Sequence, residues 1–160
     1  MPLQVTGASL SRIGRYEIRR ELGRGTMGIV YLAQDPALER DIALKTIDLA
    51  FAVPAPERAG FEQRFLAEGR VAGRLSHPGI VVVHDVGRDA GTGILYIALE
   101  YLEGRTLAEA TGSGEPLGWR ESLRITAKLA RALHHAHGYG IVHRDVKPAN
   151  IMADIGGQVK

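Results

Sequence analysis

Short runs of alternating apolar and polar residues fill the first part of the chain, and helical spacing replaces them twice further on. From Tyr16 to about Thr46, the runs "RYEIRREL", "IVYLAQD" and "IALKTID" are rich in β-branched and aromatic residues and are divided by the turn-forming "GRGTMG" and "PALERD". This predicts three antiparallel strands. A Pro/Ala-rich connector, "FAVPAP", leads to a helical stretch from Glu57 to Leu75, with Phe61, Phe65, Ala72 and Leu75 on one face. Two more strand-like runs, "IVVVHDVG" and "ILYIALEYL", flank a turn at "RDAGTG". Trp119 to His137 then reads as an amphipathic helix closed by "GYG".

The pattern predicts an α+β chain: a five-stranded antiparallel sheet with one inserted helix, followed by a mainly helical part. Residues 1–14 read as a flexible leader, 15–102 as a small lobe, and 103–160 as part of a larger lobe. At 160 residues, two small lobes sharing a cleft are affordable in size.

Composition narrows the function. Hydrophobic residues at 45% and charged residues at 24% are those of a folded soluble domain. The net charge of +2, with both signs interspersed, supports neither nucleic acid nor a membrane surface as partner. The absence of cysteine excludes disulfides, thiolate metal sites and a cysteine nucleophile, and suits a reducing cytosol. No apolar run is long enough to span a bilayer, and the first residues lack the apolar centre of a signal peptide. The expectation is a soluble, cytoplasmic chain.

Three segments carry candidate chemistry. "GRGTMGIV" places Gly23, Gly25 and Gly28 before Val30. The β-branched run that follows marks a strand-to-strand turn, not the strand-to-helix turn of a dinucleotide-binding unit. Such a flap can lay backbone N–H groups over phosphates, while the bland reading is a hairpin that binds nothing. In "DIALKTI", alternation puts Ala43, Lys45 and Ile47 on one strand face. Glu68 falls on the inward stripe of the predicted helix, so a buried Lys45–Glu68 pair is expected, against the alternative of two solvated side chains. Finally, "HRDVKPAN" packs Asp145, Lys147 and Asn150 into six residues, with Pro148 stiffening the loop. A proton acceptor, a cation and an amide ligand for Mg²⁺ are separate tasks in phosphoryl transfer.

These residues, in this order, resemble a eukaryotic-type serine/threonine protein kinase of the kind found in bacteria, over about Tyr16 to Lys160. The resemblance implies ATP and Mg²⁺ as cofactors and a protein Ser/Thr hydroxyl as acceptor. It makes Asp145 the catalytic base, Lys147 the γ-phosphate contact and Asn150 a Mg²⁺ ligand. Lys45 would hold the α- and β-phosphates under the control of Glu68. Leu22, Gly23, Gly25 and Gly28 would form the flap, Val30, Ala43 and Met152 the walls of the adenine slot, and Leu99 its rear. Main-chain groups of Glu100 to Leu102 would meet the adenine edge, and Arg144 resembles the arginine that reads a phosphorylated activation loop.

"IMADIGGQVK" resembles the family's strand pair before Asp-Phe-Gly, a motif absent from the 160 residues. The resemblance therefore implies a truncated kinase that does not transfer phosphate by itself, and a Trp119–His137 helix with uncovered apolar surface. The alternatives are a small-molecule phosphotransferase, and a pseudokinase or nucleotide-sensing module. His134, His135 and His137 read as solvent-facing imidazoles at a helix end, His143 as a brace for the catalytic loop, and Trp119 as a packing residue.

Overall fold

Strands form where the period-two pattern predicts them: β2 (Tyr16–Arg24), β3 (Ile29–Asp35) and β4 (Arg40–Ile47), then β5 (Val83–Arg88) and β6 (Leu95–Glu100). The computed structural model describes residues 11–25, 28–112, 117–154 and 158–160. A two-residue strand, β1 (Arg12–Ile13), pairs antiparallel with Tyr16 and Glu17. The sheet therefore has six strands, in the order β1-β2-β3-β4-β6-β5, where five were expected. The reason is burial: Ile13 is completely removed from water, which ties residues 12 and 13 of the supposed leader into the sheet. The expectation for residues 1–10 lies outside the described residues.

Both sheet faces are used, differently. Ile42 and Leu44 project to one face and are fully buried with Ile13, Tyr16, Ala33 and Ala98. Side chains of this kind contribute about 1.5–3 kcal/mol each on leaving water. On the opposite face, Ile47 and Leu95 are cross-strand partners and pack with Leu49, Val53, Phe61 and Phe65. Phe61 and Phe65 come from helix α2 (Arg58–Ala72), which ends short of the expected Leu75. A four-residue helix, α1 (Leu49–Ala52), precedes it; the Asp48 carboxylate accepts its Ala50 N–H at 2.9 Å. The Arg58 guanidinium donates to the carbonyls of Leu49, Ala50 and Val53.

The remainder begins with β7 (Gly104–Thr106) and the short helix α3 (Leu107–Thr111), joined by a reciprocal cap between Thr106 and Glu109. Helix α4 (Trp119–Gly138) follows, then a loop and β8 (Met152–Asp154), which pairs with β7. Leu107, Ile125, Ile151 and Val159 form a small separate core. Residues 155–157 of the expected strand pair lie outside the described residues, but Ala153 bridges Val159 antiparallel. Trp119, expected to pack, is instead 68% exposed, with the Arg120 guanidinium 5.1 Å from its ring centre. It stands at the first turn of α4, off the line of Ile125, Ala132 and Ala136 that the helix buries.

Candidate active site

The loop between α4 and β8 is shaped by a few local polar contacts. Lys147 Nζ lies 2.8 Å from Asp145 Oδ2. The Asn150 side-chain amide donates to the same carboxylate oxygen at 3.0 Å and to the Asp145 carbonyl at 2.8 Å. The Asp145 N–H reaches His143 Nδ1 at 3.3 Å, so His143 braces the loop by accepting a bond, while remaining exposed. Pro148–Asn150 forms a single 3-10 turn that carries Asn150 back over Asp145. Arg144 sits at φ 64, a left-handed conformation that a non-glycine residue adopts only when its surroundings impose it. The hydrogen-bonded Lys147 ammonium, and then the Asn150 amide, hold the Asp145 carboxyl below the ordinary carboxylate range.

Sheet register gathers a second set. Lys45 stands opposite Val30 on β3 and Ile97 on β6, while Ala43 stands opposite Leu32 and Leu99. Directly paired residues share a face. Val30, Ala43, Lys45 and Leu99 therefore lie on the face that α2 covers at its far end. Gly23 pairs with Val30, and the Gly25 N–H bonds the Gly28 carbonyl at 2.9 Å, closing the base of the hairpin. A Cβ on Gly28 would run into the Thr46 carbonyl oxygen, so glycine is required there by the approach of β4. Gly23 and Gly25 face no such obstacle, with nothing closer to a built Cβ than 3.9 Å at Gly25. The hairpin tip, Thr26 and Met27, lies outside the described residues. Leu22 is exposed at the hairpin's edge.

The expected Lys45–Glu68 pair is not formed: both side chains are exposed, and no ion pair joins them within 4.0 Å. The inward line of α2 passes through Gly69, the residue that helix buries, where a Cβ would come within 2.7 Å of the Val86 side chain. Glu68 is turned off that line and into solvent. Stripe-reading on apolar residues overlooked Gly69 because a glycine adds no hydrophobic signal.

A contact outside both sets was missed by sequence reasoning. Lys160 Nζ lies 2.6 and 2.7 Å from the two carboxylate oxygens of Glu100, sixty positions away in the chain. Nothing local in the sequence signals it. Met152 and Leu102 are half-buried nearby in the chain path, Met152 exchanging backbone hydrogen bonds with Lys160 at 2.8 and 3.0 Å. The imidazoles at the end of α4 also depart from expectation. His134 and His137 are exposed, but His135 is half-buried between His77 and Tyr139, each ring centre 5.2 Å away. An apolar cavity of about 280 Å³ lies behind the loop, between Leu75, Ile80, Leu129, Ala132 and Ile151.

Residues 16–160 match the protein kinase domain family. The chain belongs to that family. This kinase chain is 42% identical over 147 residues to the serine/threonine-protein kinase PrkC of Bacillus subtilis, covering 92% of the chain and 22% of PrkC. It is 39% identical over 148 residues to the serine/threonine-protein kinase PknB of Mycobacterium tuberculosis, covering 91% of the chain and 23% of PknB. Its structure is similar to the crystal structure of the Mycobacterium tuberculosis PknI kinase domain, with a TM-score of 0.80 and 36% identity, over 92% of the chain and 57% of that domain. The kinase chain thus spans about a fifth of the length of the curated relatives it matches. Family membership implies ATP and a divalent metal in general. Among the described residues no helix is long and apolar enough to cross a membrane.

Proposed function

We propose that the chain supplies the ATP-binding lobe and catalytic loop of a cytoplasmic serine/threonine protein kinase, which transfers the γ-phosphate of ATP to a Ser or Thr hydroxyl of a protein. The observation that carries this reading is the gathering of Asp145, Lys147 and Asn150 within hydrogen-bonding reach on one exposed loop.

Each residue has a physical task. Asp145, held ionised by its neighbours, accepts the acceptor hydroxyl's hydrogen and aims its oxygen at the γ-phosphorus. As that oxygen bonds phosphorus, the bond to the bridging oxygen breaks, ADP keeps the electron pair, and the proton passes to the Asp145 carboxylate. A carboxylate this acidic is a weak base, so orientation is its larger contribution. Lys147, half exposed beside it, offers a cation to the γ-phosphate oxygens. Lys45, on the open sheet face with Val30, Ala43 and Leu99, is placed for the α- and β-phosphates below the Gly23–Gly28 hairpin, and the Glu100–Leu102 main chain for the adenine edge. Glu68 would act by turning inward to hold Lys45.

Asn150 fits one ligand position of Mg²⁺. Its NH₂ is committed to Asp145, and the atom left to it is a hard amide oxygen. Mg²⁺ normally takes one or two such protein ligands and fills its shell with phosphate and water. When bound, the ion neutralises phosphate oxygens through the transfer.

The test is nucleotide binding and transfer. The 160-residue chain should bind ATP in the presence of Mg²⁺, and Lys45→Met should weaken that binding about tenfold or more. Equal affinities would remove Lys45 from the site. Transfer to a basic, serine-containing protein should vanish in Asp145→Ala wherever it is observed. With Asn150 the metal ligand proposed among the described residues, the 160 residues alone are expected to bind without transferring. Neither a small-molecule phosphotransferase nor a pseudokinase is favoured beside relatives named serine/threonine-protein kinases.

A further inference from the structure

We propose that Lys160 is a positioning residue for the adenine edge of the nucleotide, acting through Glu100. The inference rests on the ATP-binding reading above and adds to it a residue outside the catalytic loop and the glycine hairpin. Glu100 closes β6 and begins the segment whose main chain would meet adenine. Its carboxylate takes Lys160 Nζ at 2.6 and 2.7 Å on one side and the Val82 N–H at 3.2 Å on the other. Its own N–H donates to the Val82 carbonyl at 2.9 Å. Three segments distant in sequence, the lead into β5, the end of β6 and the residues bridged to β8, thus converge on one carboxylate.

Lys160 is itself fixed. Its side chain is 13% exposed, and its backbone exchanges two hydrogen bonds with Met152 on β8. Among the described residues, Lys160–Glu100 is the sole ion pair joining the six-stranded sheet to the segment that lies beside β8. Other ion pairs, such as Arg24–Glu21 and Arg124–Glu121, lie three positions apart on the surface and fix nothing beyond their own turn. A charge-assisted pair held from both backbones sets the angle of the Glu100–Leu102 main chain to the sheet face of Ala43 and Leu99. It also ties that main chain to Met152, the expected opposite wall of the slot. The same pair, with the Val82 N–H and the charge of His84, outweighs the effect of burial and keeps Glu100 below its ordinary value.

The experiment measures adenosine and ATP·Mg²⁺ binding to the 160-residue chain by calorimetry, with amide exchange at Val82 and Glu100 read in parallel. Lys160→Met should weaken both ligands by the same factor, about three- to tenfold, and speed exchange at those two amides while the melting transition stays single. Equal loss for adenosine, which has no phosphates, separates the adenine edge from the phosphate site. Lys160→Arg should restore most of the affinity, and Glu100→Gln, which keeps the side chain's size, should reproduce the loss. Unchanged adenosine affinity in both Lys160→Met and Glu100→Gln would overturn the inference while leaving the ATP reading intact. Failure of the unaltered chain to bind either ligand would overturn the reading, and the inference with it.

Discussion

The six-stranded sheet and the loop between α4 and β8 reach order by opposite routes. In the sheet, antiparallel pairing between strands also buries side chains, so the hydrogen bonds that set register leave Ile13, Tyr16, Ile42, Leu44 and Leu95 without exposure. In the loop, Val142 and Val146 are 60% and 52% exposed, and the shape comes from Lys147 and Asn150 both bonding Asp145 within six residues. Apolar burial resists small disturbances because many contacts share the load. A handful of exposed polar contacts is specific in geometry and contributes little to stability. The sheet therefore supplies rigidity, and the loop presents a polar cluster of defined geometry on top of it.

The contrast breaks most readily at Gly28. Gly28→Val should destabilise the chain by about 3 kcal/mol or more, because β4 would have to move away from the Thr46 carbonyl; urea melts would register the loss. Leu44→Ala, at a fully buried site, should cost about 2–5 kcal/mol in the same melts. Tyr16→Phe removes the hydroxyl that donates to the partly exposed Asp85 at 2.9 Å at the edge of the same core, and should cost about 1–2 kcal/mol.

A pH experiment sharpens the border between the regions. Glu100 is held below its ordinary 4.5, so its contribution is complete above that pH and disappears as pH falls through the lower native value. Glu100→Gln should flatten that part of the acid limb of stability. The smallest effects belong to the loop and to α4. Asp145→Asn should leave the melting midpoint nearly unchanged while abolishing any transfer. Leu123→Ser, at a site 61% exposed, should shift stability by no more than about 0.5 kcal/mol but reduce self-association measured by light scattering.

Much was legible in the chain because the signals were local. The strands from Tyr16 to Ile47 follow a two-residue alternation, and Asp145, Lys147 and Asn150 meet because one turn links neighbours in sequence. β1 was hidden because two residues cannot show a period, and Gly69 because its role is to be small. Glu68 misled for a related reason: helical spacing defines a stripe only to within about one position, and an exposed carboxylate beside the stripe reads like a buried one upon it.

What the sequence by itself determined is the local chemistry: alternation, turn residues and a six-residue polar motif specify elements whose parts lie a few bonds apart. What only the tertiary structure decided is how those elements face one another. Lys45 and Glu68 point into solvent, and Lys160 crosses to Glu100, because the angle of α2 and the path of the segment bridged to β8 are set by packing summed over the whole core. No run of adjacent residues encodes that sum.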